Sequence, residues 1–217
     1  MVNLEAKRIA KTNDERAALA ARRGWDIRLE APGFADRWRY ALPFSLRGKQ
    51  ELSFGVVSGR HHGLRFTAFD YHRQVTLEAV RDAWRDVAAP KAGAVRINTV
   101  WVIELPAKVP WFQIVENADP AYDLKDMPEP ATPNSNFNLW YRLVNTNPQV
   151  AAQVLHPELM KFMRRHKLHT WALMEQELLA TVYPIFGRTK PDELVETLDR
   201  LTALIGLLPL PALEQYR

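Results

Sequence analysis

Two short groups of residues have side chains that could carry chemistry. His61-His62 lies between two strand-like segments, and Asp70-Tyr71-His72 ends the second of them. Imidazole and carboxylate groups bind zinc at about 2.0–2.2 Å when the chain brings them together, and an Asp–His pair can exchange protons with a substrate. The intervening strand, however, separates the two groups by about 25 Å. We therefore expect no metal site, and a pocket near Asp70, Tyr71 and His72 remains an alternative as a small-molecule site or an active site.

Aromatic and basic residues offer two further kinds of contact. Trp101 and Trp140 lie in strand-like segments, and amphipathic rings line ligand pockets as well as cores. We include both as candidate pocket walls. Arg164, Arg165 and Lys167 come at the end of a predicted helix, where they complement the helix dipole and could contact an anion.

The sequence contains no complete catalytic or cofactor-binding motif. It has no cysteine, which excludes disulfides, thiolate zinc sites, iron–sulfur clusters and a cysteine nucleophile. The patterns GxGxxG, GxxxxGK[ST], GxSxG and HExxH do not occur. We therefore expect no cofactor, and a non-catalytic binding or protein-interaction module is the leading hypothesis.

The charge of the chain is mildly basic and unevenly distributed. There are 29 Lys and Arg against 25 Asp and Glu, a net charge of +4, and residues 1–50 hold 11 basic and 6 acidic residues. A weak nucleic-acid binder acting through the basic N-terminal helix is thus a further alternative, although the net charge is far below that of most such proteins. A protein partner or a small apolar ligand fits better. No apolar run reaches the roughly 18 residues of a membrane span, so we expect a cytoplasmic protein.

The first half of the chain predicts a helix, a hairpin and a second helix. Capping residues bracket a helix from about Asn13 to Arg23. Segments 52–58 and 64–71 alternate in polarity and predict a β-hairpin with a five-residue loop. Apolar residues spaced three and four apart predict a helix over 76–89. The aromatic residues between the first helix and the hairpin should pack on the body of the domain.

The middle of the chain predicts further strands. Segment 97–105 is nearly continuous in β-branched and apolar residues, and Pro106 and Pro110 suggest a turn before a short strand at 111–115. Residues 117–136, rich in proline and acids, predict a long surface loop. Alternation then predicts a strand over 137–144.

The last third predicts mostly helices. Prolines at first-turn positions indicate two helices, 148–155 and 157–166. Segments 168–174 and 178–185 read as a hairpin, and a four-three apolar repeat predicts a C-terminal helix over 190–208. The fold class that follows is α+β, a curved antiparallel sheet with helices packed on one face and a C-terminal helix. The predicted organisation is an N-terminal helical segment (1–24), a single α+β domain (25–209) and a C-terminal tail (210–217).

Several phrases occur together in a pattern that resembles a family of uncharacterised actinobacterial proteins. They include Arg22-Arg23-Gly24-Trp25, the stretch from Ser58-Gly59 to Phe69-Asp70-Tyr71, Glu104-Leu105-Pro106, and Leu155-His156-Pro157-Glu158-Leu159-Met160. The resemblance extends over about 16–209 and implies one soluble domain without an assigned activity. Some members have membrane segments ahead of that domain, which we do not expect here. The 76–89 helix replaces a polar hairpin loop of the family.

Overall fold

The computed structural model describes residues 2–41, 44, 48–75, 95–116, 132–168, 170–182 and 189–216. The helix predicted over 76–89 and the loop predicted over 117–136, apart from its last five residues, lie outside them. The described elements are, in chain order, α1 (Val2–Arg23), β1 (Asp26–Glu30), β2 (Gly48–His61), β3 (Leu64–Val75), β4 (Val95–Glu116), α2 (Ser135–Asn138), β5 (Tyr141–Leu143), α3 (Pro148–Val154), α4 (Pro157–His166), β6 (Thr170–Val182), α5 (Pro191–Leu207) and α6 (Leu210–Leu213).

The strands form one open antiparallel sheet. Within the described residues it has six strands in the order β1-β2-β3-β4-β5, and β6 pairs with the other side of β4. Strand β4 is therefore central, with β3 and β5 following one another along one side and β6 along the other. The predicted α+β class with an antiparallel sheet is confirmed.

Alternation along the strands creates two different faces. Phe66 and Ala68 point to the face that packs against α1, α3, α4 and α5. Phe69 and Tyr71 point to the opposite face, where the segment from Ala31 to Ala41, with Phe44, packs on them. The expectation that helices lie on one face and that the aromatic N-terminal segment packs on the body is met, except that Tyr40 is 70% exposed.

Strands β4 and β6 are each continuous where the sequence predicted breaks. Pro106 and Pro110 lie inside β4, in a stretch where the register with β6 shifts between Glu104 and Phe112. Opposite them, Glu175 adopts a left-handed φ of 54° within β6. Such bulges absorb residues that cannot donate to the ladder. The predicted turn in 106–110 and the predicted hairpin over 168–185 were therefore wrong.

Three other local predictions need correction. The β2–β3 turn consists of two residues, His62 (φ 47°) and Gly63 (φ 82°), as in a type I′ turn; the five-residue loop was wrong. Helix α1 begins at Val2, well before Asn13. The strand predicted over 137–144 is limited to β5, Tyr141–Leu143. The residues before it begin as helix α2, because the Asn134 side chain accepts a hydrogen bond from the Phe137 backbone N–H.

The C-terminal helices agree with the sequence. Helices α3 and α4 each begin with proline. Lys167, which follows the last residue of α4 and caps it, has a left-handed φ of 50°. Helix α5 buries Leu194, Leu198, Leu201 and Ile205 on the sheet. None of the described helices is long and apolar enough to cross a membrane.

Candidate functional site

Asp70, the centre of the predicted pocket, is a structural residue. Its side chain is fully buried and accepts a hydrogen bond from Arg16 of α1 at 2.9 Å. It accepts another from Thr99 Oγ1 at 2.8 Å, and Thr189 Oγ1 lies 2.7 Å from Thr99 Oγ1. Arg16 also donates to the Gly55 carbonyl. The carboxylate thus fastens α1 to the sheet.

The neighbours of Asp70 diverge from it. Tyr71 points to the opposite face, where its ring lies 4.7 Å from that of Phe44. His72 returns to the Asp70 face and is half-buried beside Leu52 of β2. The two side chains therefore do not line a common pocket.

The two candidate tryptophans lie apart from each other. Trp101 is completely buried, and its Nε1 donates to the Leu194 carbonyl at the start of α5. Trp140 is 50% exposed in the turn before β5, which pairs with the far end of β4. The interpretation of Trp140 as a strand residue was wrong.

The basic group occupies the place that the sequence indicated. Arg164 and Arg165 lie in the last turn of α4, and Lys167 caps the helix. All three are exposed. An anion contact there remains a prediction.

A groove of about 640 Å³ lies at the ends of β2, β3 and β4. Val102, in its lining, belongs to the core on the face opposite the helices, whereas Trp25 and Phe66 belong to the core on the helix face. We call this groove the charged groove. It contains four arginines and three carboxylates, together with smaller and aromatic residues: Arg23, Gly24, Trp25, Asp26, Arg37, Ser58, Gly59, Arg60, Arg65, Phe66, Thr67, Val102, Glu104 and Glu177.

A row of ion pairs crosses the floor of the charged groove. Arg65 holds Glu104 through two contacts of 2.7 and 2.5 Å. This hydrogen bond, with the charge of Glu104, raises the pKa of the Arg65 guanidinium above its ordinary value. Glu177 is opposite Glu104 in the β4–β6 ladder and accepts from Arg37 at 2.8 Å and from Trp38 Nε1 at 2.6 Å. Glu104 and Glu177 are therefore each paired with an arginine.

One end of the groove is built around Trp25. Its Nε1 donates to the Arg60 carbonyl at 3.0 Å, and the Arg23 guanidinium lies 5.5 Å from the ring centroid. A Cβ at Gly59 would approach Trp25 Cδ1 to 2.3 Å, so glycine is needed for the ring to lie on β2. Arg60 itself reaches the Gly63 carbonyl.

The sequence analysis did not identify the charged groove. Its members come from six separate segments, and none stands out by type or spacing. The pairing of Arg65 with Glu104 follows only from the β3–β4 register, and that of Arg37 with Glu177 joins residues 140 positions apart. The hairpin predicted from sequence placed Arg60 in its loop, so the position of Arg60 opposite Arg65 also follows only from the structure.

No family model and no curated protein matches the chain. Among solved structures, the chain is similar to the crystal structure of the mycobacterial trehalose monomycolate transport factor A, TtfA, with a TM-score of 0.60 and 16% identity over 92% of this chain and 97% of that chain. At this identity the likeness supports the fold.

Proposed function

We propose that this chain is a non-catalytic binding module that holds an acidic segment of a partner protein in the charged groove. The observation that carries the proposal is the row of paired charges in a groove that the described residues leave open. Paired guanidinium and carboxylate groups present donors and acceptors in fixed positions, which favours specific recognition.

The engagement of the carboxylates argues for binding over catalysis. Glu104 and Glu177 already accept hydrogen bonds from Arg65, Arg37 and Trp38. A general base needs a free lone pair aimed at the substrate, whereas these oxygens hold the arginines in place. Asp70 of the alternative pocket is buried against Arg16 and is equally committed.

The lining of the groove also indicates the kind of partner. Arg23 and Arg60 form no ion pair with the described residues, so their guanidinium groups can meet carboxylates of a partner. Because charged side chains surround the groove, a purely apolar ligand would desolvate them and would offer Arg23 and Arg60 no carboxylate, which costs free energy. An acidic segment avoids that cost.

The similar solved structure is described as a transport factor. A transport factor can act by binding alone, without catalysing a reaction. The likeness therefore supports a non-catalytic accessory role. We carry over to this chain only that idea.

Site-specific photo-crosslinking in cells that produce the protein naturally tests the proposal. A photoreactive residue at Thr67, in the groove, is compared with one at Thr202, a half-buried threonine of α5 outside it. We expect a discrete protein adduct only from position 67, with the crosslinked peptide rich in Asp and Glu. Arg60→Glu should abolish the adduct.

Two results would overturn the proposal. Identical products from both positions, or an adduct at Thr67 that persists in Arg60→Glu, would exclude the groove as the binding site. A partner that the purified protein alone converts to a covalently altered product would contradict the non-catalytic part.

A further inference from the structure

Three side chains meet at the tip of the β2–β3 hairpin. His61 Nε2 lies 2.7 Å and His62 Nε2 lies 2.9 Å from Oδ1 of Asp199. One ligand atom from each residue can be chosen so that all three lie within 4.8 Å of one another. We call this group the His–His–Asp cluster; none of its members lines the charged groove.

The tight turn explains why two adjacent histidines point the same way. Neighbouring residues in a strand normally direct their side chains to opposite faces. His62 instead adopts a left-handed φ of 47°, which turns its ring to the side of His61, and the ring centroids lie 4.3 Å apart. A non-glycine residue in this region is strained, so the surrounding structure must hold it.

Helix α5 fixes the third member. Asp199 follows Leu198, which is completely buried against the sheet, so the carboxylate is carried by a firmly docked helix. On the hairpin side, the His61 ring is 8% exposed and meets Trp25 edge-on at 6.1 Å. The cluster is thus prearranged from both sides, which lowers the entropic cost of binding an ion.

We propose that the His–His–Asp cluster binds a Zn²⁺ ion. Two imidazole nitrogens and one carboxylate oxygen are a common zinc ligand set, with bonds of about 2.0–2.2 Å. Tetrahedral geometry at those bond lengths sets ligand atoms about 3.4 Å apart. The Nε2–Oδ1 contacts of His61 and His62, 2.7 and 2.9 Å long, therefore need to open by about 0.7 and 0.5 Å. This mixed nitrogen and oxygen set favours zinc over magnesium or calcium, which prefer oxygen alone.

The exposure of the cluster leaves room for a fourth ligand. The His62 and Asp199 side chains are 61% and 52% exposed, so water can complete the coordination. The ion would join the hairpin to α5. This inference replaces the sequence-based expectation of no metal, which considered Asp70 as the carboxylate and had no means of seeing Asp199, 138 positions from His61.

Calorimetric titration of ZnCl₂ into untagged, EDTA-treated and dialysed protein tests the site. We expect one ion per chain and a rise in the melting temperature, because an ion that binds the folded state alone stabilises it. Replacement by Co²⁺ should give visible d–d absorption typical of four-coordination. MgCl₂ should give neither effect.

Variants connect the binding to these three residues. Loss of a group that only orients a metal ligand costs about 10- to 100-fold in affinity, so His62→Ala and Asp199→Ala should each weaken Zn²⁺ binding by more than about 100-fold. His166→Ala, at a histidine outside the cluster, is the matched control and should bind as the parent does. Both cluster residues replaced are more than half exposed, so circular dichroism should show folded variants.

The proposal is overturned if the parent protein takes up no Zn²⁺ at neutral pH. It is equally overturned if His62→Ala and Asp199→Ala bind as tightly as the parent, which would locate the ion elsewhere. Either result leaves the charged groove and its partner unaffected.

Discussion

Replacing Arg16 by methionine should lower the free energy of unfolding by about 3–5 kcal/mol, the usual effect of removing one partner from a buried ion pair. The Arg16 and Asp70 side chains are both completely buried, and their contact is 2.9 Å long. Methionine fills much of the same volume but removes the Arg16 guanidinium from the Asp70 carboxylate. Thr99 still donates to Asp70, which compensates only part of the loss.

The magnitude follows from two opposing contributions. At 2.9 Å and an effective dielectric constant of about 20, the attraction between Arg16 and Asp70 is about 6 kcal/mol. Desolvation costs several kcal/mol for each buried ion, so the intact pair is near balance. Removing one partner keeps a desolvation cost and loses the attraction. The double variant Arg16→Met/Asp70→Asn should therefore be more stable than the sum of the two single losses implies.

Urea unfolding followed by circular dichroism measures these free energies, and the double-mutant cycle gives the coupling between the two residues. Arg22→Met is the matched control, because Arg22 is an exposed arginine of the same helix. It should change stability by less than about 0.5 kcal/mol. If Arg16→Met costs no more than Arg22→Met, α1 is not fastened to the sheet through Asp70 and the reasoning is refuted.

Three further changes test other parts of the structure. Leu198→Ala should lower the free energy of unfolding by about 2–5 kcal/mol in urea, because this α5 side chain is completely buried; a loss below about 0.5 kcal/mol would mean that the apolar face of α5 is not docked on the sheet. Gly59→Ala should cost about 1–3 kcal/mol and alter the near-UV circular dichroism, since its Cβ must displace Trp25; an unchanged spectrum would contradict this packing. Burial, and secondarily the charge of Glu116, raises the pKa of Tyr141 to about 12. The neutral Tyr141 phenol therefore contributes fully to the free energy of unfolding below about pH 10, and this contribution, up to about 3 kcal/mol, is lost as the pH rises to 12. In urea unfolding measured from about pH 8 to 12, Tyr141→Phe should lose less stability than the parent over this range. Parallel plots of unfolding free energy against pH for the two proteins would refute the assignment.

The predictions from sequence succeeded where one element buries a regular stripe of its own residues. The four-three repeat of α5, the prolines that open α3 and α4, and the alternation in β2 and β3 each depend on local geometry. These signals were enough for the fold class, because short connections between alternating strands imply antiparallel pairing.

Predictions failed where long-range pairing overrides a local signal. Pro106 and Pro110 usually mark a turn, but here β6 pairs with β4 on both sides of them and carries the strand through two register shifts. On the partner strand, Glu175 pairs with Val109 and itself adopts a left-handed φ of 54°. A bulge of this kind needs knowledge of the partner strand, which the sequence of one strand does not contain.

The candidate site was beyond sequence reasoning for a related physical cause. The sequence marked Asp70 and His61 only as possible metal ligands or acid–base groups, whereas their partners in the structure come from α1 and α5. Ionisable side chains carry no periodic pattern that would reveal which element lies across from them. The sequence could indicate that such residues matter locally, but it could not separate a structural carboxylate from one at a binding site.

The larger apolar core and the ion pairs of the proposed binding groove belong largely to different faces of the sheet. The face under the helices carries the Arg16–Asp70 pair and the larger apolar core, so changes there act first on folding. The ion pairs of the charged groove lie on the other face, and the pair between Arg65 and Glu104 is substantially exposed. Exposed pairs contribute about 0–1 kcal/mol. The Arg65–Glu104 pair therefore contributes little to the fold, and Arg60 is itself exposed, so a loss of partner binding in Arg60→Glu would be attributed to the proposed groove rather than to unfolding.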